Sequence, residues 1–225
     1  MTAPVQTLRL ADAREAADLA AFLGRLIHYD RAAAVRIQAG GGAIAVFGRP
    51  PSFEVLAIRT ARVAGPEETV RLDVTVSAGE LLESVAGAEL AVPAAVTGPP
   101  WAGVLPPRGG WRELPGLPGV AGMQGAVAAA VAEFRARDEA LPPERRTRAE
   151  RDRIGREIWS RTVGGTGLPL RAVHAAQSLG FLRPTPEGVT GAALLAAGSW
   201  LRLRTPFGSI AVRTAGVGGL TVTPA

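Results

Sequence analysis

Four polar side chains in the C-terminal half, Arg171, His174, Gln177 and Ser178, recur at i, i+3, i+6 and i+7. That spacing gathers them on one face of a helix, opposite Leu170, Val173 and Leu179. Arginine and glutamine are the side chains that make two-pronged hydrogen bonds to base edges. Arg202 and Arg204, with Arg213 beyond them, fall on a predicted hairpin from which they can meet phosphates. Immediately before the helix, Gly164, Gly165, Thr166 and Gly167 form a tight loop whose amides and helix dipole can hold an anion. The loop has no lysine to make it a nucleotide motif, so a structural turn is the expectation. A third set, Arg145, Arg148 and Arg151, lies on a charge-dense helix and is expected to contact an acidic protein surface.

What is missing narrows the chemistry further. All 25 basic residues are arginine, and there is no lysine, asparagine or cysteine. Schiff bases, pyridoxal attachment and Walker-type loops are excluded with lysine; thiol nucleophiles, disulfides, zinc fingers and iron–sulfur clusters are excluded with cysteine. His28 ends one predicted helix and His174 sits in the other half, with no ligand spacing around either, so no metal site is expected. There is no G-x-S-x-G, and neither histidine has a neighbouring acid to orient it as a base. Glu67 and Glu68 follow Pro66 and read as solvated turn residues. No catalytic set and no cofactor are expected.

Charge is divided unevenly. Up to Val120 there are 11 arginines against 12 acids, and after it 14 against 8, so the net charge of +5 arises in the C-terminal half. The sequence pI of about 11.1 is inflated because arginine barely titrates. The longest apolar run, Gly191 to Leu201, is about half of the ~20 residues a membrane span needs, and Met1 to Leu10 lacks the pattern of a secretion signal. A cytoplasmic protein with no membrane partner is expected.

These residues need elements to hold them. Thr7 to Leu10 reads as a strand, and Asp12 caps a helix to about His28 with a stripe of Leu19, Phe22, Leu23, Leu26 and Ile27. Extended segments follow at Ala34–Ala39, Ala43–Phe47, Phe53–Ala64 and Val70–Val76, an antiparallel meander with Gly40, Gly41 and Gly42 at its first turn. Ser77 and Glu80 form a capping box for a helix to about Ala86. Residues 91–120 hold 7 prolines and 6 glycines, yet also Trp101, Leu105 and Trp111, so a connector draped over a domain is expected there. Helices are predicted from Val120 to Leu141, Glu144 to Ser160 and Leu168 to Leu179, the second laced by Glu144–Arg148, Asp152–Arg156 and Glu157–Arg161 pairs. A hairpin from Trp200 to Thr214 follows. The fold class is α+β, organised as residues 1–90 with an antiparallel sheet and two helices, a packed connector at 91–120, and a helical domain at 121–225. Helix, glycine turn, helix and arginine-bearing hairpin is the order of a winged-helix DNA-binding module.

Two resemblances add to this. The run from Val35 to Phe47, with Val74-Thr75-Val76-Ser77-Ala78-Gly79-Glu80-Leu81-Leu82, resembles one repeat of a DNA sliding clamp over about residues 5–90. A ring needs several repeats, so encirclement of DNA is not implied. The phrases Val96–Trp101, Pro106–Trp111, Leu141–Arg146 and Gly164–Pro169 resemble a conserved family restricted to actinobacteria and without an established activity. That resemblance implies a lineage-specific protein, and the family's loose association with chromosome partitioning implies a partitioning or cell-cycle protein as partner. The leading expectation is a non-enzymatic interaction protein that binds another protein. DNA binding through residues 144–213 is the alternative, and a small-molecule enzyme in an interdomain cleft is the third reading.

Overall fold

Asp12 begins the first helix by accepting the Glu15 amide at 2.8 Å, and α1 (Ala13–Tyr29) buries Ala16, Leu19, Phe22, Leu23 and Leu26 along one side. The computed structural model describes residues 6–65, 71–101, 103–185 and 191–214; Val70 and the Glu67–Glu68 pair lie outside them. Strands β2 (Ala34–Gly40), β3 (Ala43–Gly48), β4 (Leu56–Arg62) and β5 (Leu72–Ser77) form the expected antiparallel meander. Gly41 and Gly42 turn β2 into β3 with φ of 60° and 71°. Strand β4 starts at Leu56 rather than Phe53, because Ser52 and Glu54 adopt left-handed φ of 68° and 52°, which a strand cannot carry. Ser77 caps α2 (Ala78–Glu83), which ends before Ala86 because β6 (Val85–Ala86) follows at once. Strands β1 (Thr7–Arg9), β7 (Glu89–Ala91) and β6 make a small sheet in the order β1-β7-β6.

The remaining elements are β8 (Arg112–Leu114), α3 (Val120–Glu139), a 3-10 turn at Pro143–Arg145, α4 (Arg148–Trp159), α5 (Leu170–Ser178), β9 (Ala193–Ala197), β10 (Trp200–Thr205) and β11 (Gly208–Arg213). The helix expected from Glu144 is thus split, with Thr147 capping α4 through the Glu150 amide. Gly180, at φ 74°, closes α5 in a Schellman arrangement: the Phe181 amide donates to Ala176 at 2.7 Å and the Gly180 amide to Gln177 at 3.0 Å.

Among the described residues, one antiparallel sheet of eight strands runs in the order β5-β2-β3-β4-β11-β10-β9-β8. It draws on both halves of the chain. The joint is β4 against β11, with Ile58 opposite Ser209, Ala57 opposite Ile210 and Leu56 opposite Ala211. The α+β class holds, and the β10–β11 hairpin is flanked by β4 and β9 within this sheet. The apolar run before the hairpin is itself a strand. All five residues of β9 are buried, so it shows no alternation for a sequence reading to detect.

The sheet divides the apolar residues in two. Its inner face (Ala57, Ala61, Leu194, Leu201, Leu203, Ile210, Val212) shares a core with α1 and with Met123, Val127, Ile154, Ile158 and Val173 of α3, α4 and α5. On its outer face Phe47, Leu56, Ile58 and Ala211 gather beneath Trp101, with Leu105 and Trp200 at the margin. Trp101 is buried and donates its indole N–H to Thr75 Oγ1 at 3.0 Å. Gly98 permits this approach, since a Cβ there would stand 2.5 Å from Thr75 Cγ2. None of the described helices is long and apolar enough to cross a membrane.

Candidate functional site

The polar face of α5 is occupied. His174 stacks on Trp159 at 4.4 Å between ring centroids and meets Phe53 edge-on at 5.1 Å; Phe53 continues edge-on to Tyr29, and Tyr29 to His28. Both histidines and the only tyrosine therefore join one aromatic ladder, although they come from α1 and α5. Arg171 is half-buried with its Nε 3.7 Å from Glu54, and that Nε makes no hydrogen bond. Ser178 is half-buried, leaving Gln177 as the exposed member of the four.

Burial pushes the His174 imidazole below its usual pKa of 6.5. The unfolded chain then takes up the proton first as pH falls, so this residue's contribution is present above its ordinary value of 6.5, begins to be lost there, and is gone once the pH has fallen through the lower folded value. Unfolding midpoints in urea should fall between pH 7 and pH 5, with a shallower fall in His174→Phe, which keeps the stack and removes the titration. Equal slopes in the two proteins would refute the assignment.

The glycine loop is built as a turn. The Thr166 hydroxyl accepts the Leu168 amide at 3.2 Å, the Val163 amide donates to the Leu168 carbonyl at 3.0 Å, and the Thr166 amide donates to Val163 at 3.3 Å. Gly164 (φ 59°) lies against the connector, where a Cβ would sit 2.9 Å from the Gly116 carbonyl oxygen. Gly165 and Gly167 complete the loop, with Gly167 facing Leu201.

The arginines of α3 and α4 are mostly spoken for. Arg137 grips Glu157 through two 2.8 Å bonds, Arg161 grips Glu133, and Arg153 takes Glu150 at 2.6 Å. The Glu157 carboxyl is held down to about 2, first by Arg137 and then by Arg161 and Arg153. Of the residues expected to meet a partner, Arg151 pairs with Asp138 at 2.7 Å, Arg145 with Glu150 at 3.7 Å and Arg148 with Asp152 at 3.8 Å. Glu157–Arg161 forms as expected, at 3.5 Å. Arg148 takes Asp152 rather than Glu144 because Glu144 lies in the 3-10 turn, outside the helix.

Strand β10 presents the contrast. Leu201 and Leu203 enter the core, so Trp200, Arg202 and Arg204 stand on the outer face, in register with Arg213, Ala211 and Ser209 of β11. The described ion pairs include none made by Arg202, Arg204 or Arg213. Arg202 is half-buried, its Nε is buried without a hydrogen-bond partner, and its guanidinium lies 5.8 Å from the Trp111 ring. Desolvation, and then repulsion from Arg204, lowers its pKa. Arg213 sits over Trp200 at 5.8 Å and donates to the Gly103 carbonyl at 3.4 Å.

One cluster has no counterpart in the sequence analysis. On the inner face of β4, Arg59 is 5% exposed and its Nη2 reaches Glu15 at 3.4 Å and Asp18 at 3.3 Å. Arg62 bonds Glu15 at 3.2 Å and approaches Asp12 at 3.6 Å, while Arg183 bonds Asp18 at 3.0 Å and lies 3.9 Å above the Phe207 ring. Acids and arginines alternate in one ladder, Asp12–Arg62–Glu15–Arg59–Asp18–Arg183, beside an open cleft of about 330 Å³ that Pro206 and Phe207 also line. The signal was present. Asp12, Glu15 and Asp18 fall at i, i+3 and i+6 of α1, and Arg59 stands between Ala57 and Ala61 on the face of β4 that a helix must cover.

Among curated proteins there is no match. The chain matches one domain of unknown function (DUF8010) over residues 3–103 and a second (DUF8185) over residues 106–217, so two domains without an assigned activity are what it is similar to, end to end.

Proposed function

We propose that this is a non-enzymatic interaction protein whose partner is another protein, engaged through the outer sheet face around Arg202. One observation carries the reading: Arg202, largely withdrawn from water, has no carboxylate partner among the described residues and lies near both Arg204 and the Trp111 ring. An uncompensated cation in such a place weakens the isolated fold, and an anionic partner relieves it. Arg145, Arg148 and Arg151 are already paired, so they add less. A winged-helix reading asks α5 to enter a major groove and the hairpin to stand free. Trp159, Phe53 and Glu54 against α5, and β4 and β9 against the hairpin, favour an acidic protein surface over duplex DNA.

Anisotropy of a labelled polyglutamate peptide and of a labelled DNA duplex, each across a salt series, tests this. The peptide should bind at low salt, and Arg202→Met should weaken it about tenfold while raising the fold's stability by about 1 kcal/mol. Reversal of Arg145, Arg148 and Arg151 should change binding by less. Duplex binding with a steep linear fall of log affinity against log salt would replace this reading with the DNA one. Peptide binding unaffected by Arg202→Met would remove the site.

A further inference from the structure

The charge ladder beside the 330 Å³ cleft leaves hydrogen-bonding capacity unused. Both of Arg59's bonds come from one nitrogen, Nη2, at 3.3 and 3.4 Å, long for a charged pair, and its Nε has no partner. A guanidinium carries five donors, and one that is 5% exposed ordinarily has them satisfied. Arg183 repeats the pattern: Nη2 bonds Asp18, its plane lies on Phe207, and its Nε has no partner. Arg14 lines the cleft, makes no ion pair among the described residues, and with Arg183 is near enough to lower the Arg59 pKa. Three arginines (14, 59 and 62) and three acids (12, 15 and 18) line the cleft, and Arg183, bonded to Asp18 beside it, leaves one positive charge in excess.

We infer that this cleft binds a phosphate-class oxyanion on Arg14, Arg59 and Arg183. Arg14 of α1 and Arg59 of β4 line the cleft, and Arg183, from the segment after α5, stands at its edge over Phe207 and bonded to Asp18. A tetrahedral anion offers acceptors in several directions out of one plane, whereas a carboxylate offers its two oxygens in a single plane, as Glu15 and Asp18 do to two arginines each. The volume suits a small ion or the phosphate end of a larger molecule. Asp18 and Glu15 keep the site from holding anions indiscriminately, since an entering ion must outcompete them for the arginines. The site is separate from the Arg202 face, because Arg59 is on the inner side of the sheet and Arg202 on the outer.

Thermal unfolding of the full chain at pH 7 in rising sodium phosphate, against sodium chloride and sodium acetate of matched ionic strength, tests the inference. Phosphate should raise Tm along a saturating curve, as binding to the folded state alone requires, and chloride and acetate should not. Arg14→Gln, at an exposed position, should leave Tm without phosphate unchanged and shift the phosphate curve at least tenfold to higher concentration. Arg183→Gln should do the same from a lower starting Tm. Indistinguishable curves for phosphate and chloride would overturn the inference, as would an unshifted phosphate curve in Arg14→Gln. A response to acetate equal to that to phosphate would overturn the tetrahedral assignment.

Discussion

Arg59→Ala should destabilise the protein by about 3–5 kcal/mol, the loss that follows when one partner of a buried ion pair is removed. Arg59 is the centre of the ladder, and Glu15 and Asp18 stand on either side of it with side chains only 18% and 20% exposed. Without the guanidinium, two carboxylates share a site that excludes most water, and Arg62 and Arg183 reach only their outer oxygens. The effect spreads beyond one contact, because the ladder fastens α1 to β4 and to the segment after α5. Arg59→Met should also destabilise, although it keeps most of the volume, since the carboxylates are what it leaves unmatched. Adding Glu15→Gln and Asp18→Asn to Arg59→Met should recover most of the loss. That recovery separates electrostatics from packing. Urea midpoints for the three proteins at pH 7 provide the check, and a loss below about 0.5 kcal/mol in Arg59→Ala would mean that water already reaches the cluster.

The same residues show what a linear reading could and could not see. Asp12 and Ser77 are legible caps because a cap is a contact three residues long, and the Gly180 stop is legible for the same reason. The stripe of α1 and the turn at Gly41 are legible in local periodicity and local φ demands. The pairing of β4 with β11 brings residues 56–58 to 209–211, and no local pattern encodes it. For that reason the charge ladder, whose members lie at 12–18, 59–62 and 183, has no signature in any one stretch of sequence. The arginine surplus of the C-terminal half was also legible as a count, but which arginines are free depends on the approach of α3 to α4. Arg137 and Arg161 are consumed there by Glu157 and Glu133, while on β10 neither Arg202 nor Arg204 meets an acid among the described residues.

Gly208→Ala should lower stability by about 2–5 kcal/mol, far more than a methyl group on an ordinary strand. Gly208 opens β11 at φ 151°, a conformation that side chains rarely adopt, and its added Cβ would stand 2.5 Å from two atoms of the Phe181 ring and 2.8 Å from a third. The ring cannot simply step aside. Phe181 is 2% exposed and stacks on Phe22 at 5.7 Å, so the methyl group must move either the aromatic pair or the start of the strand. Overpacking and backbone strain each contribute about 1–3 kcal/mol. Gly198→Ala is the matched control: its φ is 54°, but nothing lies within 4 Å of the new Cβ, so only the backbone term of about 1 kcal/mol applies. The difference between the two variants in urea unfolding measures the clash itself. Gly208 also sets the turn that carries Phe207, through the Thr205 hydroxyl, which donates to the Gly208 carbonyl and accepts the Phe207 amide. Phe207 in turn supports Arg183, so Gly208→Ala should weaken the phosphate response, while Gly198→Ala, at the far end of β10, should leave it intact.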